Sequence, residues 1–308
     1  MTKDIQLSLC IPTNGIIEWV KPVLDSIYSE EKPIAEFEVI VTDNGNNLEF
    51  YNFMQQYCRK HENLIYKKTK AVQFNNQIEA FKLASGKFIK FINHRSVLLP
   101  GALNYLLEFV EKNQNSQPFV YFLEGDYAGK YKNFDSFVCA LSYFSSYSGG
   151  IAMWKDDFEK LDINKPFNNL FPHTNMLFSV KNRDEYIIDG RKITKDLPTD
   201  ETKKGKYNLF FAFAVEYPSV ILELYRNGDI KFTTLKKIME DNFDFLCKLY
   251  LDYIVLEKPC SYDLRNYKEN LQIYYGNRVM PIEVLKTFMK KCKNKIKRKA
   301  GKNGKQRN

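Results

Sequence analysis

This 308-residue chain has little of what marks several common protein classes. Its six cysteines, Cys10, Cys58, Cys139, Cys247, Cys260 and Cys292, are far apart and form no Cys-x-x-Cys pair. They read as reduced thiols, which argues against a disulfide-stapled scaffold. Only 14 glycines and 11 prolines occur, so a fibrous or low-complexity chain is excluded. Long apolar runs are missing as well. Leu209 to Val215 is ended by Glu216 and Pro218, well short of the roughly 20 residues a membrane-spanning helix needs. The start, MTKDIQLSLCIPT, enters a strand pattern without the basic head, apolar stretch and cleavage site of a signal peptide. A cytoplasmic location is the expectation.

What the chain does contain is apolar bulk: 44% hydrophobic residues and 15% aromatics, enough for a sizeable core. The net charge of +9 is confined to one end. Lys286 to Asn308 hold 11 Lys and Arg and no Asp or Glu, and without them 35 basic side chains face 37 acidic ones. A basic tail on a neutral body bears on what the protein touches rather than on its fold. Leu285, Phe288, Met289, Cys292 and Ile296 share one helical face there, with lysines around it. That pattern fits peripheral attachment to an anionic membrane surface through residues 286–308, with a solvated chain end as the bland alternative. Nucleic acid is not expected as a partner, because no basic surface interleaved with aromatics extends into the body.

The first hundred residues alternate strand and helix signals: QLSLCIPT, IIEWVKPVLDSIYSE, FEVIVTDNGNN, a helix over about 48–60, NLIYKK, NNQIEAFKLAS and KFIKFI. Strands separated by helices of this length imply crossovers and a parallel, doubly wound sheet. Ligands of such sheets bind beyond the carboxyl ends of the strands, where Pro12-Thr13, Asp43-Asn44 and Asn93-His94-Arg95 fall. Further along come PFVYFLEGDY, the turn SSYSGG with the strand IAMW, and a helix start at Lys155-Asp156-Asp157. Residues 182–207 are polar and read as a linker or loop, and two helices are expected between about 208 and 255.

Three segments in order, LSLCIPTNGIIEWVKPVLDSI, FEVIVTDNGNN and FNNQIEAFKLASGKFIKFINHRSVLLPGAL, resemble the nucleotide-sugar-binding half of family-2 glycosyltransferases. The similarity is to the bacterial surface-polysaccharide branch, abequosyltransferase-like proteins among them. The resemblance implies an α/β fold of GT-A type, Rossmann-like, with a mostly parallel sheet flanked by helices. Helical spacing adds a C-terminal extension over 205–285 and composition the basic amphipathic tail over 286–308, while the resemblance itself places the catalytic domain in residues 1–204. It further implies that Pro12 and Thr13 line the nucleoside pocket, that Asp43, with Asn44 beside it, accepts a hydrogen bond from the base, and that Asn76 lies near the donor. The residues also admit plainer readings: Asp43-Asn44-Gly45 is a good turn, and Asn76 a helix-start cap.

The departure lies at the end of KFIKFI. His94, Arg95 and Ser96 stand where relatives carry an acidic triplet that binds Mg²⁺ or Mn²⁺, hard cations that want oxygen ligands. No metal ligands and no required cofactor are therefore expected, although a divalent ion held elsewhere stays open. Arg95 has the planar, permanently charged fork that suits a diphosphate, and His94 can donate a hydrogen bond or, protonated, a second charge. A general base for the acceptor hydroxyl is sought in Asp156 and Asp157 after IAMW, or in His173 of FPHTN, where relatives have Glu-Asp; Asp126 stands behind them. The implied activity is inverting sugar transfer from a nucleotide-diphosphate donor to a surface glycan, lipid-linked or free, at the inner face of the membrane. The alternative is a catalytically silent binding or scaffold protein in polysaccharide assembly.

Overall fold

The computed structural model describes residues 4–30, 33, 35–123, 125, 127–163, 165–198 and 205–276. The basic tail and Asp126 lie outside these residues. The chain divides into two compact units. The first runs to Pro198 and includes Arg226–Thr234; the second takes up Thr199–Tyr225 and everything from Leu235 onward. The division is thus not a single cut at 204/205. Arg226–Thr234 belongs to the first unit because Ile230 is buried, Asp229 pairs with Lys181 at 2.5 Å, and the Lys231 N–H donates to Asp135 Oδ1 at 2.8 Å.

In the first unit, β1 (Leu7–Thr13), α1 (Ile17–Tyr28), β2 (Phe37–Asp43), α2 (Leu48–Cys58), β3 (Leu64–Lys68), α3 (Asn76–Leu83) and β4 (Phe88–Phe91) follow one another. The strands stand in the order β3-β2-β1-β4, all parallel. Next come β5 (Ser96–Leu98), α4 (Ala102–Asn113), β6 (Phe119–Phe122), β7 (Gly129–Tyr131) and α5 (Phe134–Leu141). Then β8 (Ala152–Trp154) adds to the edge beside β4, antiparallel to it. The rest of the unit holds α6 (Lys155–Glu159), α7 (Pro172–Leu177), β9 (Tyr186–Asp189) and β10 (Thr194–Asp196).

Burial explains the strand composition. Every residue of β2 is buried, as are six of the seven in β1, so both read as continuous apolar runs rather than alternating ones. Helix α1 closes the core by burying Val20, Val23, Leu24 and Ile27 at helical spacing. The polar stretch read as a linker instead contains two strands. β9 is the centre of a three-stranded sheet, parallel to β6 and antiparallel to β7, and β10 pairs antiparallel with β5. The short YIID run was obscured by the charges around it.

The second unit is helical: α8 (Leu209–Phe211), α9 (Tyr217–Arg226, its last residue in the first unit), α10 (Phe232–Tyr250, its start likewise) and α11 (Tyr267–Tyr274). Leu209, Phe210, Ala214, Leu246, Cys247, Leu251 and Leu271 form its core. Between α8 and α9 the backbone widens into a π turn over Ala212–Glu216, which accommodates Pro218 and its missing N–H. Among the described residues no helix is long and apolar enough to cross a membrane.

Candidate functional site

The parallel register brings the exits of four strands to one edge. Thr13 lies opposite Asp43, and Asp43 opposite Lys68. β4 arrives beside β1 with Phe91 opposite Cys10, and the Ile92 N–H donates to Cys10 O at 2.8 Å. Since alternate residues of a strand face the same neighbour, Pro12 faces β4 too, and its missing N–H ends that ladder. The chain after Ile92 is thereby released to turn. Three residues past Phe91 is His94, and three past Cys10 is Thr13; the Thr13 hydroxyl and His94 Nδ1 are 2.9 Å apart. Thr13 Oγ1 also accepts the Gly15 N–H at 3.1 Å. Trp19 closes over the imidazole edge-on, 5.0 Å between ring centres. Burial, with the Arg95 charge beside it, pushes the His94 pKa down to about 3. Burial therefore favours a neutral His94 over the second positive charge contemplated from the sequence.

Asp43 is fully buried. Its Oδ1 accepts the Gly45 N–H at 2.7 Å, and its Oδ2 accepts from the Tyr66 hydroxyl at 2.8 Å and the Lys68 ammonium at 2.9 Å. A carboxylate offers about four lone-pair positions, so one remains once these are made. The turn reading of Asp43-Asn44-Gly45 is thus part of the structure, and Gly45 is fixed there because a Cβ would stand 1.9 Å from Asn14 O. Asn44 donates to Ala71 O at 2.9 Å, holding the loop after β3. Asn76 is buried, and as the first residue of α3 its side chain is not the helix-start cap. Its amide donates to Thr42 O at 2.9 Å and Thr13 O at 3.2 Å while Oδ1 accepts from Thr69 at 2.8 Å, tying three strand exits together.

Asn93 accepts the Arg95 N–H at 3.2 Å through its side chain, and β10 then fixes the turn: Leu197 N–H donates to Arg95 O at 2.8 Å and Ser96 Oγ to Asp196 Oδ1 at 2.5 Å. The Arg95 guanidinium, half-buried, makes no hydrogen bond or ion pair with any described residue. A neutral imidazole engaged with Thr13, a guanidinium and a hydroxyl engaged with Asp196 do not fit a hard divalent cation. Among the described residues no group of three His, Cys, Asp or Glu side chains is placed to hold a metal.

The candidates for the base separate sharply. β8 runs antiparallel to β4 with Trp154 opposite Phe88, so Asp156 and Asp157 leave the sheet where β4 begins. β4 alone puts about 10 Å between that edge and the strand exits. Asp156 is exposed, and Asp157 is buried in an ion pair with Arg183. Neither lies at the strand exits, because the antiparallel direction of β8 carries the residues after it to the opposite edge. His173, on α7, lies at the exit edge. The segment before it meets the start of α3 through Asn75 Nδ2 and Asn169 Oδ1 at 2.7 Å, and His173 Nε2 lies 2.9 Å from Ser146 O. A carbonyl only accepts, so Nε2 carries the proton and Nδ1 keeps its lone pair. Nδ1 is buried without a hydrogen-bond partner, and burial pushes the His173 pKa down to about 4.

The family model described as Glycosyl transferase family 2 matches residues 8–178, more than half of the chain. The chain belongs to that family. A curated relative, an uncharacterized glycosyltransferase of Rickettsia bellii (strain RML369-C), is 25% identical over 131 residues, 42% of this chain and 18% of its own length. Crystal structures of the same fold include S. aureus TarS 1–349 in complex with UDP-GlcNAc, with a TM-score of 0.62 at 13% identity over 92% of this chain and 89% of that one. Mannosyltransferase PcManGT from Pyrobaculum calidifontis, in complex with GDP-Man and Mn²⁺, gives 0.53 at 14% over 77% and 69%. This chain spans 18% of the length of the curated relative and 44% of the longer TarS structure. At such identities the structural likeness is one of fold, and that fold is GT-A.

Within this family 2 domain, several residues at the exit edge escaped the sequence reading. Tyr66 and Lys68 share Asp43, yet NLIYKK reads only as a strand. Lys90 is fully buried, donating to Phe91 O, Gly149 O and Ile151 O at 2.8, 2.6 and 3.3 Å. Its signal was visible, a lysine inside the apolar run KFIKFI, where a charge requires a partner.

Proposed function

We propose that this family 2 domain transfers a sugar from a nucleotide-diphosphate donor to a glycan acceptor without a metal ion, with Arg95 facing the departing diphosphate. One observation carries the reading: a guanidinium with no partner among the described residues, at the β4 exit where the sequence lacks carboxylates. Negative charge grows on the diphosphate as the sugar leaves, and a preorganised cation there lowers the barrier. Neutral His94, held by Thr13, supplies a hydrogen bond. Asp43 reads the base through its remaining lone pair, with Lys68, itself 38% exposed, able to move aside. His173 is the base: its Nδ1 is free of protons at neutral pH, with about the basicity of an aspartate. The donors bound by TarS and PcManGT, UDP-GlcNAc and GDP-Man, support a nucleotide-sugar as the donor class. Inversion by a single in-line displacement, a lipid-linked bacterial surface glycan as acceptor and attachment of residues 286–308 to an anionic membrane complete the proposal.

A second reading, a silent binding or scaffold protein, is favoured by the closed state of Asp43 and of His173 Nδ1. Assay of sugar transfer in EDTA separates the two. Turnover in chelator that falls in Arg95→Ala supports the first. Absence of turnover with nucleotide binding intact supports the second, and turnover that requires Mn²⁺ and ignores Arg95 overturns the metal-free mechanism.

A further inference from the structure

The loop between α5 and β8 is held by buried side chains to an unusual degree. The Tyr121 hydroxyl shares its one proton between Phe144 O and Tyr147 O, Thr174 donates to Ser145 O at 2.9 Å, His173 Nε2 to Ser146 O at 2.9 Å, and Lys90 to Gly149 O at 2.6 Å. Most of the carbonyls from 144 to 149 are thus fixed from beneath, each by a side chain rooted in the core or in α7. The two glycines fit the same purpose. A Cβ on Gly150 would meet the Tyr121 ring at 2.3 Å, and one on Gly149 would meet the Tyr147 ring at 2.4 Å. The phenol of Tyr147 therefore lies against the Gly149 backbone, yet Tyr147 remains 43% exposed. One turn earlier, Phe144 packs at 4.8 Å from Tyr127, which is 51% exposed.

This aromatic surface stands at the exit edge. β8 begins beside the end of β4, where the Phe91 N–H donates to Ile151 O at 3.2 Å, and His173, the proposed base, is bonded to the loop itself. Tyrosine presents a large, rigid, amphipathic face at low conformational cost, and its electron-rich ring attracts the weakly positive C–H face of a pyranose. We propose that Tyr147, with the Tyr127 and Phe144 pair, forms a carbohydrate subsite that stacks a sugar ring of the acceptor. Its role as acceptor subsite rests on the transfer reading above; sugar stacking does not.

The test is saturation-transfer NMR on the full chain with methyl glycosides of glucose, galactose and N-acetylglucosamine at millimolar concentration. UDP and GDP binding are measured on the same samples. Transfer to the C–H protons of one sugar face is expected for the wild type and for Tyr147→Phe. Tyr147→Ala, which keeps the backbone carbonyl that Tyr121 holds, is expected to weaken glycoside binding by about fivefold to tenfold with nucleotide binding unchanged. Gly149→Ala, which displaces the ring without removing it, is expected to weaken glycoside binding as well. Equal transfer in Tyr147→Ala and wild type, or no transfer from any glycoside in a protein that binds nucleotide, overturns the subsite and leaves the exposed rings to another class of partner. Glycoside binding in a protein that binds no nucleotide sinks the donor reading and keeps the stacking site.

Discussion

Strand β2 carries a buried carboxylate near each end, and the two are treated very differently. Glu38, at the edge where the strands begin, accepts from Ser8 Oγ at 2.6 Å, Ser85 N at 2.6 Å, Ser85 Oγ at 2.9 Å and Gly86 N at 3.2 Å. All of its donors are backbone or short hydroxyl side chains that cannot leave. Asp43, at the exit edge, is held by Gly45 and Tyr66 but also by Lys68, a long and partly exposed side chain. Buried side-chain acceptors without a donor follow the same division. Asn75 Oδ1, Gln77 Oε1 and His173 Nδ1 fall at the exit edge or in the first turn of α3 beside it; at the other edge, among the described residues, only Asp157 Oδ2 does. Among the described residues the starting edge leaves one such acceptor and the exit edge three, which the proposed ligand would satisfy. Polar groups left unmet in a folded interior need a reason, and here the reason coincides with the strand exits.

The comparison breaks most visibly at Glu38. Glu38→Ala strands several donors in the core and is expected to cost roughly 3–5 kcal/mol of stability. Chemical denaturation measures the loss, and nucleotide affinity per folded molecule is expected to stay as in the wild type. An equal loss of affinity would mean that the starting edge also shapes the site. At the exit edge the expected pattern is inverted. Arg95→Ala is expected to lower the transfer rate by about 10²–10³ with little change in melting temperature, since no described residue bonds its guanidinium. Arg95→Lys recovers part of the rate, because a point charge replaces the fork.

Asp43 sits between these extremes. Its burial means that Asp43→Ala, an obvious probe from the sequence, also unseats Tyr66 and Lys68, so fold and binding change together. Asp43→Asn keeps the acceptor for Gly45 and is the cleaner variant. It is expected to weaken nucleotide binding by about 1–3 kcal/mol, measured by calorimetry. Unchanged affinity would reduce Asp43 to a second Glu38, a turn anchor and nothing more.

Much of this was legible before any coordinates. The parallel sheet, the exit-edge position of Thr13, Asp43 and His94-Arg95, and the family itself follow from strand-then-helix alternation and three spaced segments. What failed is what a linear pattern does not encode. IAMW read correctly as a strand, but nothing in its residues states that it runs antiparallel to KFIKFI, and that direction alone removes Asp156 and Asp157 from the site. β9 and β10 read as a linker because their neighbours are charged and their partners, β6 and β5, lie far away in sequence. Asn76 laces three strand exits together, a long-range role that a helix-start position hides.

The smallest expected effect concerns acid. Burial holds His173 and His94 neutral, with pKa values pushed from 6.5 down to about 4 and about 3. Between those values and 6.5 the unfolded chain binds protons that the folded chain refuses, so stability rises with pH across the window. The contribution is complete above about pH 6.5 and is lost as the pH falls through about 4 and then 3. One imidazole supplies at most about 1.4 kcal/mol per pH unit. Replacing His173 by Asn, which keeps a donor for Ser146 O, is expected to flatten the slope between pH 6.5 and 4.5, above most of the ordinary carboxylate range. Urea midpoints of wild type and variant across those pH values measure it. A wild-type slope that the variant reproduces would mean that His173 is not held neutral by the fold. The starting edge and the exit edge would then differ in hydrogen bonding alone, without the lone pair that the proposed base requires.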